Sequence, residues 1–182
     1  MLFLLNGAAL FAEARRAPVP QVTQLLTLPL LWWYRSPQSE WAFTFCFAMY
    51  MLLDFALVKL DALITAHHLF CLLGHVIVCG FMPPPAFAVY FNGVVALELG
   101  SGCMNVFLLR PTSWRVALYA IGMTASNAAA AALALEWVRL EIPIAPKVLN
   151  IAITVVMVVL RQKSCVKWIR GGPASFTHPH ED

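Results

Sequence analysis

Long apolar runs fill most of the chain, and short segments with charges or prolines separate them. Five runs are long enough for a helix that crosses a bilayer, since about 20 apolar residues cover a hydrocarbon core of about 30 Å. The predicted spans are residues 41–60, 62–82, 84–109, 113–137 and 144–160. Each is predicted to be a helix, because a strand with an open edge leaves backbone groups unpaired in lipid.

The N-terminal third follows this pattern less clearly. Residues 2–12 and 22–34 are both apolar but short, and charged residues and prolines divide them. They are expected to form one broken span, a re-entrant pair, or interfacial helices that end in the aromatic Trp32-Trp33-Tyr34 segment. The first run has neither a basic start nor a small-residue cleavage site, which argues against a cleaved signal peptide.

Composition places the chain among membrane proteins. Of its 182 residues, 61% are hydrophobic and 12% are charged, whereas soluble domains have about 45–50% and about 25%. We therefore predict an all-α, polytopic transmembrane helical bundle over residues 41–160. Short hydrophobic helices over 1–40 precede it, and a basic, then polar, C-terminal tail over 161–182 follows. The five cysteines are scattered and are interpreted as small buried hydrophobes.

Lysine and arginine are unequally distributed between the two sides of the predicted bundle. If residues 22–34 cross the membrane, one side has nine cations and the other has three. The three are Arg35, Arg139 and Lys147; the nine are Arg15, Arg16, Lys59, Arg110, Arg115, Arg161, Lys163, Lys167 and Arg170. Because cytoplasmic loops carry an excess of such residues, we expect the C-terminus on the cytoplasmic, matrix or stromal side of an endomembrane or organellar membrane. The net charge of +3 gives no sign of a nucleic-acid partner.

Polar and ionisable residues within the predicted spans are the candidates for function, because such residues usually face a bundle interior, a cavity or a site. They are Asp54, His67, His68, His75, Glu98, Ser101 and Asn105. At about 1.5 Å per residue, Asp54, the paired histidines and Asn105 lie at similar depths from the basic side. Glu98, Ser101 and Asn105 also share one face of a helix.

Four interpretations of this set remain open. The residues can be mutual hydrogen-bonding partners that hold the bundle together, or they can line a site for a lipid headgroup or acyl chain. A histidine can act as a general base oriented by Asp54 or Glu98. Zinc is the fourth possibility, but no histidine or carboxylate pair has the usual i, i+4 ligand spacing. We predict no metal and no cofactor.

The order of these motifs resembles the TLC domain, which translocation-associated membrane proteins, ceramide synthases and their relatives share. The segments DFALVKLDALITAHHLFCLLGHVIV and ALELGSGCMNVFLL carry the resemblance, which extends over about residues 41–160. It implies a bundle of about six helices around a lipid-sized cavity that is reached from the cytoplasmic side.

Ceramide synthases join an acyl-coenzyme A to a sphingoid base, and His67-His68 match the paired histidines proposed as catalytic in that branch. Those enzymes also carry a His-Asp pair and a further Asp downstream, where this chain has Glu98, Ser101 and Asn105. The resemblance is therefore closer to the smaller TLC proteins, which are linked to membrane lipid composition.

Three functions follow as expectations. The first is a membrane protein that binds lipid or acyl chains in its bundle and influences membrane lipid composition, with the polar core formed by His67, His68, His75, Glu98, Ser101 and Asn105. The second is a structural accessory subunit of a larger organellar membrane complex, whose partners are other membrane subunits. The third is an acyl-CoA-dependent acyltransferase that uses His67, His68 and Asp54.

Overall fold

The computed structural model describes residues 23–57, 62–109 and 112–171, and within these ranges the chain is helical and has no strand. A short π-helix, Thr23–Thr27, leads into helix α1 (Leu28–Trp33). The other helices are α2 (Pro37–Leu57), α3 (Ala62–Phe81), α4 (Pro84–Leu109), α5 (Ser113–Arg139) and α6 (Ile144–Gly171). The predicted run 2–12 and the polar end of the tail lie outside the described residues.

Three helices, α4, α5 and α6, are long and apolar enough to cross a membrane. The all-helical prediction is confirmed for the described part of the chain, and these helices support the prediction of a membrane-embedded protein. In α3, the stretch His68–Phe81 is apolar but shorter. The count of five spans stays a prediction.

Helix α2 begins four residues before the predicted span, at Pro37 rather than Trp41. The cause is a cap: the Ser39 backbone N–H donates to Ser36 Oγ at 3.1 Å, and the Ser36 N–H donates to Ser39 Oγ at 2.8 Å. This reciprocal pairing satisfies two backbone donors at the helix start. Proline suits the first helical position, where no N–H is needed.

Helix α6 continues past the predicted end of its span at residue 160 and ends at Gly171. No glycine or proline interrupts residues 161–170, and Gly171, Gly172 and Pro173 follow. Because only these later residues break a helix, the basic segment assigned to the tail is a continuation of α6.

Helices α4, α5 and α6 pack as consecutive antiparallel neighbours and form the most extensive helix contacts of the described chain. Phe107, Tyr119 and Cys165 from these three helices form a buried cluster near one end. Near the other end, Trp137 of α5 packs with Val78 of α3 and Ala86 of α4. A third cluster joins α1 and α2 to α4 through Leu28, Phe43, Phe47, Tyr50, Met51, Phe91 and Val95.

Two glycines allow α4 and α5 to approach each other closely. A Cβ atom at Gly100 of α4 would overlap the Ser126 hydroxyl of α5. One at Gly122 of α5 would lie 2.5 Å from Cys103 Sγ of α4. Small residues at such contacts bring helix backbones together in lipid, where van der Waals packing drives association.

We expect Gly100→Ala to lower the free energy of unfolding by about 1–3 kcal/mol, because the added methyl group overpacks the contact with α5. Gly93→Ala on the same helix is the matched control, since a Cβ atom there meets nothing within 4 Å. The control should be neutral or stabilising by up to about 1 kcal/mol, because alanine favours the helix. Thermal unfolding of the detergent-purified proteins measures both, and equal stability of the two variants would contradict the close approach.

Candidate functional site

Arg161 of α6 is at the centre of a polar cluster between α4, α5 and α6. Its Nη2 donates to the Leu97 backbone carbonyl at 2.8 Å and to Ser126 Oγ at 3.2 Å. Its Nη1 donates to Ser101 Oγ at 2.8 Å, and its Nε donates to Asn127 Oδ1 at 3.2 Å. Since a guanidinium has five N–H groups, these bonds use four of them.

The cluster lies halfway along α4 and α5. Leu97 is 13 residues after Pro84 and 12 residues before Leu109, the ends of α4. Ser126 is equally far, 13 residues, from both ends of α5. An arginine at the centre of a membrane helix costs about 2.5–3.5 kcal/mol on insertion scales. The four acceptors therefore offset a large desolvation penalty.

Glu98 of α4 adds an acidic side chain near this arginine. Its side chain is buried, and its carboxylate lies within electrostatic range of Arg161. On the α5 side, Asn127 Nδ2 donates to Gln162 Oε1 at 2.9 Å, and Gln162 Nε2 donates to Thr124 Oγ1 at 3.3 Å. The cluster thus extends along the α5–α6 contact.

The structure brings Asp54 and His68 together. Nε2 of the imidazole donates to Asp54 Oδ2 at 2.9 Å, and the two side chains are 7% and 14% exposed, respectively. The Phe55 ring lies edge-on to the imidazole, with ring centroids 5.5 Å apart. The pair links α2 to α3 at the level of the predicted basic side. The side chain of His67 lies outside the described residues.

His75 is a second link between helices. Its Nε2 lies 3.0 Å from the Thr44 carbonyl of α2, and its Nδ1 lies 3.1 Å from the Tyr90 hydroxyl of α4. Because a carbonyl can only accept, Nε2 carries the proton, and Nδ1 of the neutral ring accepts from Tyr90. Both ring nitrogens are used, and His75 serves as hydrogen-bonded glue among three helices.

The remaining predicted site residues, all on α4, lie in or near the Arg161 cluster. Ser101 belongs to the Arg161 cluster, Glu98 lies beside it, and Asn105 is half-buried one turn further along α4. The predicted polar set is therefore a series of polar contacts between neighbouring helices. His68 and Asp54 form one contact and Ser101 belongs to another.

An apolar cleft of about 140 Å³ lies on the other side of the Arg161 cluster from the basic end. Its walls come from α3, α4, α5 and α6, with Phe47 from α2. Along α6 the lining runs from Pro146 to Met157, which is about 16 Å at 1.5 Å per residue. Arg161 is one helical turn beyond Met157, so the polar cluster marks the inner end of the cleft.

The cleft is open to the surroundings between α3 and α6. Phe70 of α3 and Leu149 of α6 line it and are also 50% and 39% exposed. Contacts between these two helices are sparse. Gly74 of α3 and Gly93 of α4 also line the cleft, and a Cβ atom at either one would meet nothing within 4 Å. Because glycine has only a hydrogen atom as its side chain, both positions contribute to the empty volume of the cleft.

Uncharged side chains form the described lining of the cleft. Its polar members are Tyr90, Trp137, Asn150 and Thr154. The Tyr90 hydroxyl is bonded to His75, and Thr154 Oγ1 donates to Asn150 Oδ1 at 3.4 Å. An apolar cavity of about this size excludes water and accepts apolar groups. The cleft is thus suited to a hydrocarbon segment.

Sequence reasoning missed the residues on which this arrangement depends most. The sequence pattern places Arg161 in the tail, because this residue directly follows an apolar run. The available signal was the absence of a helix breaker after residue 160, together with Ser101, Ser126 and Asn127 in two neighbouring spans. Nothing in the sequence pattern distinguishes Gly93, which faces empty space, from Gly100, which touches α5.

No protein-family model, curated protein or solved structure matches the chain. The resemblance to TLC domains stays a prediction from the residues.

We expect Arg161→Met to lower the free energy of unfolding by about 3 kcal/mol, because it leaves buried acceptors on α4 and α5 and the charge of Glu98 without their partner. Arg170→Met is the matched control: it removes the same cation from the same helix at an exposed position. The control should change stability by less than about 0.5 kcal/mol. Thermal unfolding in detergent compares the variants, and two equally stable proteins would disprove the structural role of Arg161.

Proposed function

We propose that this chain is a multi-pass membrane protein that binds an alkyl chain of a membrane lipid in the cleft between α3 and α6. The apolar cleft itself carries this proposal. Its lining extends about 16 Å along α6 at the helical rise of 1.5 Å per residue. The lining side chains are uncharged and mostly apolar, which suits a hydrocarbon chain.

The surroundings of the cleft favour a lipid as its occupant. Helices α4 and α6, which contribute two walls, are long and apolar enough to lie in a bilayer. The opening beside Phe70 and Leu149 therefore faces hydrocarbon if these helices span. Lipid chains are the most abundant apolar molecules in that environment. Through this binding, we propose, the protein influences or senses membrane lipid composition, as the TLC resemblance implies.

Acyl transfer is a second candidate, and the Asp54–His68 hydrogen bond favours it. A carboxylate that holds one ring nitrogen orients the imidazole for general-base chemistry at the other nitrogen. The described lining of the cleft, however, includes neither residue. An acyl chain in the cleft is thus not placed against this pair, and chain binding without transfer is the better supported function.

Filling the cleft should abolish lipid binding without unfolding the protein. In Gly93→Leu the new side chain extends into open space and occupies part of the cleft. We expect it to reduce crosslinking of a lipid that carries a diazirine in its alkyl chain at least tenfold, since the same volume cannot hold both groups. Irradiation in vesicles followed by peptide mass spectrometry measures the crosslinks.

Gly80→Leu is the control, because Gly80 of α3 also faces open space but lies outside the cleft lining. This variant should crosslink like the unmodified protein. If the unmodified protein gives no crosslinks to cleft residues, lipid binding is excluded. Stable co-purification of other membrane proteins in that case would support the second expectation, an accessory subunit of a larger complex.

We also propose that the five predicted spans cross the bilayer, with the basic end of α6 on the cytoplasmic, matrix or stromal side. In a cysteine-free background, Gly171→Cys at the end of α6 and Pro83→Cys should react with a membrane-impermeant thiol reagent from opposite sides of sealed vesicles. The expected labelling follows from the antiparallel course of α4, α5 and α6. Labelling of both sites from one side would contradict both the span count and the orientation.

A further inference from the structure

The cleft occupies one half of the helix bundle. Its lining on α4, α5 and α6 reaches no further than the middle of each helix, and it always lies toward the same end. This end is the Pro83 side, at which the turn between α3 and α4 lies and at which α5 ends and α6 begins. The lining segments are residues 89–97 on α4, 130–137 on α5 and 146–157 on α6.

The Arg161 cluster closes the cleft at the middle of the bundle. Arg161 is one helical turn beyond Met157, the last lining residue of α6. Its guanidinium donates to acceptors on both α4 and α5 at this level. A hydrocarbon chain that continued inside the bundle past Met157 would separate these groups, and each unpaired one costs about 1–3 kcal/mol. The cluster is thus an inner end that a chain does not pass.

Exposed aromatic side chains indicate the depth of this inner end. Trp114 is exposed at the start of α5, and Trp41 and Phe81 are exposed on the Pro83 side. Tryptophan favours the membrane–water interface. Ser126 of the cluster is 12 residues after Trp114, which is about 18 Å at 1.5 Å per residue. Half of the hydrocarbon core is about 15 Å, so if α5 spans, the cluster lies close to the midplane and the cleft lies in one leaflet.

Only the hydrocarbon part of a lipid matches the chemistry of the cleft. The described lining has no charged side chain, and a phosphate or ammonium group there would lose its hydration without gaining a partner. The headgroup therefore stays at the membrane surface. Pro146 at the outer end of the lining is the third residue of α6, so the surface nearest to the cleft is that of the Pro83 side.

On the basis of the proposed lipid-binding cleft, we propose that its ligand is a lipid of the leaflet on the Pro83 side, and that one alkyl chain of this lipid enters tail first toward Arg161. The terminal methyl group lies near Met157, and the part of the chain next to the headgroup lies near Pro146. If the basic end of α6 is cytoplasmic, this leaflet is the opposite one. The access then differs from the cytoplasmic access that the TLC resemblance implies.

Two phosphatidylcholine probes test the direction of the chain. The full-length protein is reconstituted into phosphatidylcholine vesicles that contain a probe with a diazirine either close to the glycerol ester or close to the terminal methyl group. The first probe should crosslink near Pro146 and Leu149, and the second near Leu97 and Met157. The ratio of outer to inner crosslinks should differ roughly tenfold between the probes, because the two ends of the lining are about 16 Å apart. Peptide mass spectrometry locates the crosslinks.

A second measurement tests the leaflet directly. The probe is added only to the outer leaflet of preformed vesicles. An impermeant biotin-linked thiol reagent then captures the molecules whose Pro83 side faces outward through Pro83→Cys, and those with the opposite orientation through Gly171→Cys. Cleft crosslinks should be about tenfold more frequent in the first population, since the cleft ends close to the midplane of a core of about 30 Å. Ile121, exposed on α5 between Trp114 and the cluster, is the control and should be crosslinked mainly in the second population.

The failures of the two proposals are distinguishable. Crosslinks in the reverse order, with the terminal diazirine near Pro146, would overturn the direction of entry and leave lipid binding intact. Cleft crosslinks that are equally frequent in both populations, or more frequent from the basic side, would overturn the leaflet assignment in the same way. The absence of cleft crosslinks with both probes would overturn lipid binding itself.

Discussion

The guanidinium of Arg161 at the middle of the bundle is the constraint on which the rest of the arrangement depends. Its charge requires acceptors at one level, and α4 and α5 supply them through Leu97, Ser101, Ser126 and Asn127. A cation this deep also fixes the axial position of α6, because a shift by one turn would remove the arginine from these acceptors. The absence of a side chain at Gly100 belongs to the same constraint, since a methyl group there would overlap the Ser126 hydroxyl.

The positions of the polar contacts explain why the bundle has a cleft. His68 holds α3 to α2, and His75 holds α3 to both α2 and α4. Arg161 holds α6 to α4 and α5. These hydrogen bonds thus link α3 to α2 and α4, and α6 to α4 and α5, whereas contacts between α3 and α6 are sparse. The gap between them stays open because glycines face it, and its walls are apolar.

The parts of the fold that local patterns determine could be predicted from the sequence. Apolar runs bounded by prolines gave the starts of α4, α5 and α6, and burial of ionisable groups in apolar helices predicted that Asp54 and a histidine would meet. The buried position of Arg161 cannot be predicted from local patterns, because a cation that follows an apolar run occurs in two structural settings. It marks the end of a span if it reaches the headgroups, and it is a core residue if the neighbouring helices offer acceptors. Only tertiary packing distinguishes these cases, and packing likewise decides which glycines leave space.

The same packing decides whether the histidines only link neighbouring helices or also belong to a binding or catalytic site. His75 has both ring nitrogens in hydrogen bonds, so it keeps no nitrogen for a substrate. The hydroxyl of Tyr90, a residue of the cleft lining, donates its hydrogen bond to His75. Because this hydroxyl is satisfied within the protein, the α4 wall of the cleft is effectively apolar. His75 therefore shapes the cleft without belonging to its lining. Polar contacts between helices and an apolar cleft are then complementary: the contacts satisfy the buried polar groups, and in doing so they leave the walls of the cleft apolar.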